Sequence, residues 1–212
     1  AVADELASVV GYATVLPNVL DLDAVGYLQR DAARAVLGVP DDCWCCGYVG
    51  RLHYWKQPQV ALQGFVDCHE RIPNSRMTFV GDGEMQMMLE RLAQGVPVSF
   101  AGFVPGAARL VRAFDVLLMT STAREAFGMV VLEAMAAGVP VVAPRHPGPV
   151  SVLGDCGHYY DDPDEIAECL VAVAAGGSVV EERCAGGVQR ARQSFSVAAL
   201  AAHLDSHRYI DD

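Results

Sequence analysis

Two cations lie five positions apart in a short segment that follows an apolar run. Gly50 ends the run, Arg51 comes next, and Lys56 closes the segment. An arginine can bind one phosphate through two parallel hydrogen bonds, and a lysine can act as a point charge on the next phosphate. The pair is therefore a candidate diphosphate site. The alternative is a pair of solvated surface charges.

Two glutamates, Glu125 and Glu133, are separated by eight positions, with Gly128 between them. If the whole span were helical, the two carboxylates would lie about 12 Å apart on one face, which suits two sets of hydroxyls on either side of a diphosphate. Gly128 would let a ligand approach bare backbone N–H groups at a helix start. Because Glu133 lies in an apolar stretch, it can also be read as a structural carboxylate that caps or pairs inside the fold.

The segment Gly81-Asp82-Gly83 begins like the dinucleotide-binding fingerprint G-x-G-x-x-G. Gln86 occupies the third glycine position, however, and no acidic partner for a ribose is placed at the end of the next predicted strand. These departures argue against a nicotinamide-dependent dehydrogenase. The alternative is that both glycines serve a tight turn from a strand into a helix.

The cysteines do not predict a metal site. Cys43, Cys45 and Cys46 lack the two-residue gap of a zinc knuckle, and no matching His/Cys pair follows them. Seven cysteines, mostly inside apolar runs, are typical of buried thiols in a reducing compartment. No apolar stretch reaches about 18 residues and no basic leader opens the chain, so we expect a cytoplasmic protein without a transmembrane segment.

Short apolar runs alternate with segments of helical periodicity from residue 44 onward. The predicted strands are 44–49, 77–80, 98–101, 116–119, 139–143 and 158–160, and the predicted helices are 59–71, 85–93, 107–113, 129–137, 164–174 and a terminal 190–209. This order predicts an α/β fold, a doubly wound Rossmann-like parallel sheet with helices on both faces. We assign 1–43 to a lead-in and 44–212 to this domain. Ligands of such sheets bind beyond the carboxyl ends of the strands, where the candidate residues lie.

The composition limits the kinds of partner that the chain can bind. The 212 residues include 26 acidic and 15 Lys/Arg side chains, for a formal net charge of −11, and 52% are hydrophobic. Such a chain can bury a sizeable core. It lacks the basic stripe that nucleic acid or an anionic membrane surface requires, so a few local cations must hold any anionic ligand.

Five blocks occur in an order that is more specific than any single loop. They are Val49-Gly50-Arg51 with Lys56, Gly81-Asp82-Gly83, the residues FAGFV at 100–104, EAFG at 125–128, and EAMAAGVPVVA at 133–143. Together they resemble the donor-binding, C-terminal half of family 4 retaining glycosyltransferases of the GT-B fold. The resemblance covers about residues 15–175.

The resemblance implies a nucleoside-diphosphate sugar as ligand, linked to UDP, GDP or ADP. It implies that Arg51 and Lys56 hold the donor diphosphate at the end of the strand that Gly50 closes. Glu125 would bind hydroxyls of the transferred hexose, and Glu133 would bind the ribose. The side chains of Arg51, Lys56 and Glu125 would carry out the transfer step.

Backbone groups complete the implied donor site. Phe127, Gly128 and Met129 would offer theirs to sugar and phosphate, and Val104 would contact the nucleobase through its backbone. The family needs no metal or other cofactor. We therefore regard the D-x-D sequence at 21–23, which is typical of metal-dependent transferases, as accidental.

The sequence departs from the family pattern at four positions. Gln57 stands where a glycine usually follows the diphosphate lysine, and Thr120 stands where a proline usually precedes the loop serine. Val19 replaces a glycine. Near Ser151, where the family commonly has a glutamate, this sequence has none. These departures leave the nucleobase and the sugar open.

The GT-B fold places its acceptor site in a separate N-terminal domain, which the residues before the first strand are too few to form. We therefore expect the chain to be the donor half, inactive in transfer unless an acceptor domain is supplied in cis or in trans. The alternative is a stand-alone, non-catalytic module that binds a nucleotide sugar or a partner protein. A longer coding region upstream would distinguish the two.

Overall fold

A computed structural model describes residues 16–206, which form a six-stranded, fully parallel sheet. The strands are β1 (Trp44–Val49), β2 (Ser75–Val80), β3 (Val98–Phe100), β4 (Val116–Leu118), β5 (Val141–Pro144) and β6 (His158–Tyr160). Their order is β3-β2-β1-β4-β5-β6, the doubly wound arrangement. The predicted fold class is confirmed, and each predicted strand overlaps an observed one.

Eight α-helices lie within the described part of the chain. They are α1 (Arg30–Leu37), α2 (Pro58–Val66), α3 (Gln86–Leu92), α4 (Met129–Ala136), α5 (Pro147–Leu153), α6 (Ile166–Ala175), α7 (Ser178–Phe195) and α8 (Val197–Ser206). The predicted helix at 107–113 is a 3₁₀ helix instead, and the one predicted over 59–71 ends as an α-helix at Val66. Across residues 16–206, no helix combines the length and apolarity needed to cross a bilayer.

The sheet separates two hydrophobic cores, because successive side chains of a strand point to opposite faces. On β1, Cys45 packs in the core that contains Leu117, and Cys46 packs in the core that contains Phe79. These two neighbouring cysteines therefore cannot ligate one metal ion together. Burial raises the pKa of the Cys45 thiol to about 12, which keeps it protonated.

The single terminal helix predicted over 190–209 is wrong, and its last three residues lie outside the described part. The helix is interrupted at Ser196, which is extended with φ −84° and ψ 161° and separates α7 from α8. The N–H of Leu20 donates to the carbonyl of Phe195 at 2.8 Å, and Leu20 forms a parallel bridge with Ser196. The lead-in thus takes a carbonyl that a continuous helix would use. The Ser196 hydroxyl then accepts a bond from the N–H of Ala199 at 3.0 Å, as a helix N-cap does.

A buried arginine joins the lead-in to the sheet. Arg34, on α1, is fully buried and donates to the carbonyls of Ala113, Pro40, Asp41 and Cys43 at 2.7–3.0 Å. It also donates to the Asp115 carboxylate at 2.8 Å. Asp115 in addition accepts from the Cys45 N–H at 2.7 Å, next to the starts of β1 and β4. The network lies at the amino ends of the strands, away from the candidate site.

Candidate functional site

The candidate residues meet where the strand order reverses. After β3 the chain crosses to the other side of β1 to form β4, so the carboxyl ends of β1 and β4 are neighbours. The loop after β1 carries Arg51 and Lys56, and the loop after β4 carries Glu125. Such a switch point leaves a crevice between loops that diverge to opposite faces.

The loop after β1 is held by the loop after β2 through close backbone contact. The N–H of Leu52 donates to the carbonyl of Asp82 at 2.7 Å, and the N–H of Met85 donates to the carbonyl of Leu52 at 3.1 Å. A Cβ at Gly81 would lie 2.0 Å from the Gly50 carbonyl oxygen, and one at Gly83 would lie 2.4 Å from that of Leu52. Only glycine fits at either position. The tight-turn alternative therefore accounts for both glycines, which hold the loop that carries Arg51.

The side chains of Lys56 and Glu125 form an ion pair across the switch point, 69 positions apart in sequence. Lys56 keeps 40% of its side chain exposed and Glu125 keeps 17%. The same two loops are joined by a backbone hydrogen bond, in which the N–H of Thr122 donates to the carbonyl of Trp55 at 2.9 Å. The tertiary structure thus brings the lysine of one block together with the glutamate of another.

The backbone of Glu125 also packs closely against the start of α5. A Cβ at Gly148 would lie 2.1 Å from the Glu125 carbonyl oxygen, so a glycine is required for the helix to pack this closely. Gly148 was not among the predicted site residues. Its only sequence signal is a glycine between two prolines at a helix start.

The helical spacing considered for the two glutamates does not hold. Helix α4 begins at Met129, after Gly128 with φ 88°, so the residues from Glu125 to Gly128 are not helical. Gly128 therefore stands at the helix start, as predicted. Phe127 is partly buried, with its ring edge-on to Phe195 at 5.6 Å. Met129 also packs partly against the core, and Gly128 between these two residues is buried.

Glu133 lies one turn into α4 and is half-buried. Desolvation raises the pKa of its carboxyl group above the ordinary value. The hydroxyl of Tyr27 donates to the backbone carbonyl of Glu133 at 2.9 Å and not to the carboxylate. Within residues 16–206 no hydrogen bond or ion pair engages that carboxylate.

Two cavities adjoin the cations. One, of about 230 Å³, lies between the loops after β1, β2 and β3 and is lined by Gly50, Arg51, Asp82 and Val104 among others. The second, of about 400 Å³, is lined by Arg51 and Lys56 together with His53, Tyr54 and Trp55. Arg51 borders both, so a ligand that extends from one to the other must pass this side chain.

The aromatic wall of the second cavity was not predicted. The guanidinium carbon of Arg124 lies 4.6 Å from the centre of the Trp55 ring, a cation–π contact between the two loops. His53 accepts a hydrogen bond from the N–H of Trp55 at 3.3 Å. The run His53-Tyr54-Trp55 between the two cations was the available signal, since exposed aromatic side chains often mark binding surfaces.

The D-x-D sequence has a local structural use. The Asp21 carboxylate accepts a hydrogen bond from the N–H of Ala24 at 3.0 Å, which closes a turn in the lead-in. Asp23 is exposed on the same turn. The turn accounts for Asp21 without a metal.

Comparison with known proteins places this chain in a family. The pattern of the family described as "Glycosyl transferases group 1" matches residues 45–175. D-inositol 3-phosphate glycosyltransferase from Saccharomonospora viridis is 34% identical over 214 residues, which is 92% of this chain and 49% of that protein. The chain thus spans about half the length of this curated relative.

Solved structures share the fold. A crystal structure of Anabaena HepE in complex with UDP and glucose superposes with a TM-score of 0.80 at 24% identity, covering 93% of this chain and 57% of that one. The C-terminal domain of a group 1 glycosyl transferase, LpcC from Francisella tularensis, superposes with a TM-score of 0.73 at 19% identity, covering 84% of this chain and 99% of that domain. The resemblance identified from the five sequence blocks is thereby confirmed, and the chain belongs to the group 1 glycosyl transferases of the GT-B fold.

Proposed function

We propose that the chain is the nucleotide-sugar-binding domain of a retaining glycosyltransferase that transfers a hexose from a nucleoside-diphosphate sugar. The observation that carries the proposal is the Lys56–Glu125 ion pair at the switch point, beside two cavities that Arg51 joins. A cation for phosphate and a carboxylate for sugar hydroxyls thus lie next to each other. No side chain of the proposed site requires a metal to link it to the ligand.

The cavities suggest how the ligand is divided. The nucleobase fits the 230 Å³ cavity against the backbone of Val104, and the diphosphate passes Arg51 towards Lys56. The hexose then reaches Glu125 and the backbone groups of Phe127, Gly128 and Met129. The ribose hydroxyls are assigned to Glu133, whose carboxylate is half-buried and without a partner among the described residues.

The chemistry that these residues supply is electrostatic. As the bond between the anomeric carbon and the phosphate oxygen breaks, negative charge develops on the leaving diphosphate. Arg51 and Lys56 stabilise that charge more strongly than the charge of the intact donor, which lowers the barrier. The Lys56 ammonium has three donors, so it can stay bound to Glu125 while it donates to phosphate.

The acceptor side lies outside this site. In the proposed enzyme an acceptor domain, in cis or in trans, faces the crevice and completes the reaction. The relatives' greater length supports this part of the proposal. The acceptor itself, and the choice of hexose, are left to experiment.

The test is calorimetric titration with UDP-glucose, GDP-mannose and ADP-glucose, each beside its free nucleoside diphosphate. Glu125→Gln is expected to weaken binding of the preferred nucleotide sugar by about 1 to 2 kcal/mol, because an amide accepts fewer hydroxyl hydrogen bonds than a carboxylate. The free nucleoside diphosphate should bind at least as tightly as before, since Lys56 loses a competing charge. Equal weakening of both ligands would contradict the assignment of Glu125 to the sugar.

Glu133→Gln is expected to separate binding from stability. Affinity for both the nucleotide sugar and the free diphosphate should fall by about 1 to 2 kcal/mol, because both contain the ribose. Stability at neutral pH should rise, because the variant buries no charge.

The pH dependence follows from the raised pKa of Glu133. Below the unfolded-state pKa of this carboxyl, the group is neutral in both states, and the unmodified chain loses no stability by burying a charge. Above the folded-state pKa the buried carboxyl is ionised, and the full cost of burying that charge lowers the stability of the unmodified chain. The melting temperatures of Glu133→Gln and the unmodified chain should therefore converge in acid and diverge towards neutral pH. The matched control is Glu90→Gln, at an exposed position of α3. A loss of stability in Glu133→Gln at neutral pH would indicate a structural carboxylate instead.

A further inference from the structure

Gln57, next to the diphosphate lysine, has an unusual backbone conformation. Its φ of 48° and ψ of 50° are left-handed, and only Asn74 among the other described non-glycine residues has a positive φ. A side chain with a Cβ crowds the carbonyl oxygen in this region, so the conformation must be held by surrounding contacts. A glycine, the usual residue in the family pattern, would adopt it freely.

Thr120 supplies such a contact from the neighbouring strand end. It is 1% exposed, and its hydroxyl lies 3.0 Å from the carbonyl oxygen of Lys56 and 2.8 Å from that of Gln57. Two consecutive carbonyls therefore converge on one buried donor. A proline, the usual residue at this position in the family pattern, has no hydroxyl to offer.

The two departures from the family pattern thus touch each other in space, although 63 positions separate them. Thr120 lies just beyond β4, after Met119, in the loop that carries Glu125, and Gln57 directly follows Lys56. The hydrogen bonds therefore tie the backbone of Lys56 and Gln57 to the start of the loop that carries Glu125. Loss of the hydroxyl would free a strained turn to relax and to carry Lys56 away from Glu125.

We propose that Thr120 is a positioning residue, which holds the left-handed turn at Gln57 and thereby keeps Lys56 in place for the donor diphosphate. The proposal rests on the function assigned above to Lys56. It further implies that Thr120 is needed because residue 57 is a glutamine. With glycine at position 57 the turn needs no such support.

The experiment is a double-mutant cycle with Thr120→Val and Gln57→Gly, read out by calorimetric affinity for UDP, GDP and ADP and by the free energy of unfolding. Valine has nearly the shape of threonine, with a methyl group in place of the hydroxyl. In the natural Gln57 background, Thr120→Val should weaken binding of the preferred nucleotide about tenfold, the effect of losing one hydrogen bond near the upper end of the usual range. In the Gln57→Gly background the same change should alter affinity by less than about twofold, within the scatter of independent sites. Thr120→Ser, which keeps the hydroxyl, should bind like the unmodified chain.

Thr78→Val is the matched control. Thr78 is also fully buried, and its hydroxyl lies 3.0 Å from that of Ser99 on the far side of β1 from β4. This control should lose stability without losing affinity. If Thr120→Val fails to fold, Gln57→Gly should restore folding under the proposal, and failure to restore it would contradict the proposal.

The possible failures can be told apart. If the unmodified chain binds none of the three nucleotides, the proposed function fails and the positioning role fails with it. If the unmodified chain binds but Thr120→Val has equal effects in both backgrounds, only the positioning role is overturned. Lost stability with unchanged affinity would overturn it as well, because Thr120 would then resemble Thr78.

Discussion

Alanine in place of Arg51 or Lys56 is expected to weaken nucleoside-diphosphate binding by about 1.5 to 3 kcal/mol for each substitution, or roughly 10- to 150-fold. Both side chains line the cavity at the switch point, and the net charge of −11 offers phosphate no general attraction. Local hydrogen bonds to charged groups must therefore supply the affinity. Lys56→Ala should also lower stability, because it leaves the largely buried Glu125 carboxylate unpaired.

Calorimetry with UDP, GDP and ADP measures these losses, and Arg145→Ala is the matched control. Arg145 follows β5 at the same edge of the sheet, where it pairs with Asp161 at 3.3 Å and lies over the Tyr159 ring. Its removal changes the net charge equally but removes no predicted phosphate contact. Comparable losses in all three variants would mean that only the overall potential matters. Unchanged affinity in Arg51→Ala and Lys56→Ala would refute the site.

Asp115→Ala is expected to destabilise the folded chain by about 3 to 5 kcal/mol, the usual cost of leaving a buried charge without its partner. The Arg34 guanidinium would keep its bonds to four carbonyls but lose the carboxylate that neutralises it. The N–H of Cys45 would lose its acceptor as well. Denaturant unfolding, with the slope compared between variants, measures the loss.

Glu168→Ala is the control for this prediction. Glu168 pairs with Arg71 through two hydrogen bonds, but both side chains are largely exposed. Exposed ion pairs contribute little, so the variant should unfold close to the unmodified chain. Nucleotide affinity should survive in Asp115→Ala under conditions where it is folded, because Asp115 lies at the amino ends of the strands, opposite the candidate site. Equal destabilisation in the two variants would show that burial does not govern these pairs.

The fold could be predicted from local patterns because its strands are buried on both faces. Such strands are read as continuous apolar runs, and β1 and β6 were predicted with their observed bounds. The terminal helix was mispredicted because its break depends on Leu20, a residue some 175 positions earlier that bonds to the carbonyl of Phe195. Helical periodicity contains no information about a partner so far away in the chain.

The candidate site divides in the same way. The types and order of its residues, from Arg51 to Glu133, are properties of the sequence, and they sufficed to identify the family. The backbone geometry between the two glutamates could not be read from the sequence. The left-handed Gly128 and the non-helical turn before it lie against Met119 and against Phe195, which is distant in the chain.

By itself, then, the sequence determined a doubly wound parallel sheet with cations after the first strand and carboxylates after the fourth, because burial and periodicity act over neighbouring residues. Only the tertiary structure decided that Lys56 pairs with Glu125 and that the hydroxyl of Thr120 meets the strained turn at Gln57. Each of these contacts joins loops from two strands that become neighbours only when the sheet forms. Their geometry depends on strand order and on backbone approaches such as that of Gly148 to Glu125, which no local pattern encodes.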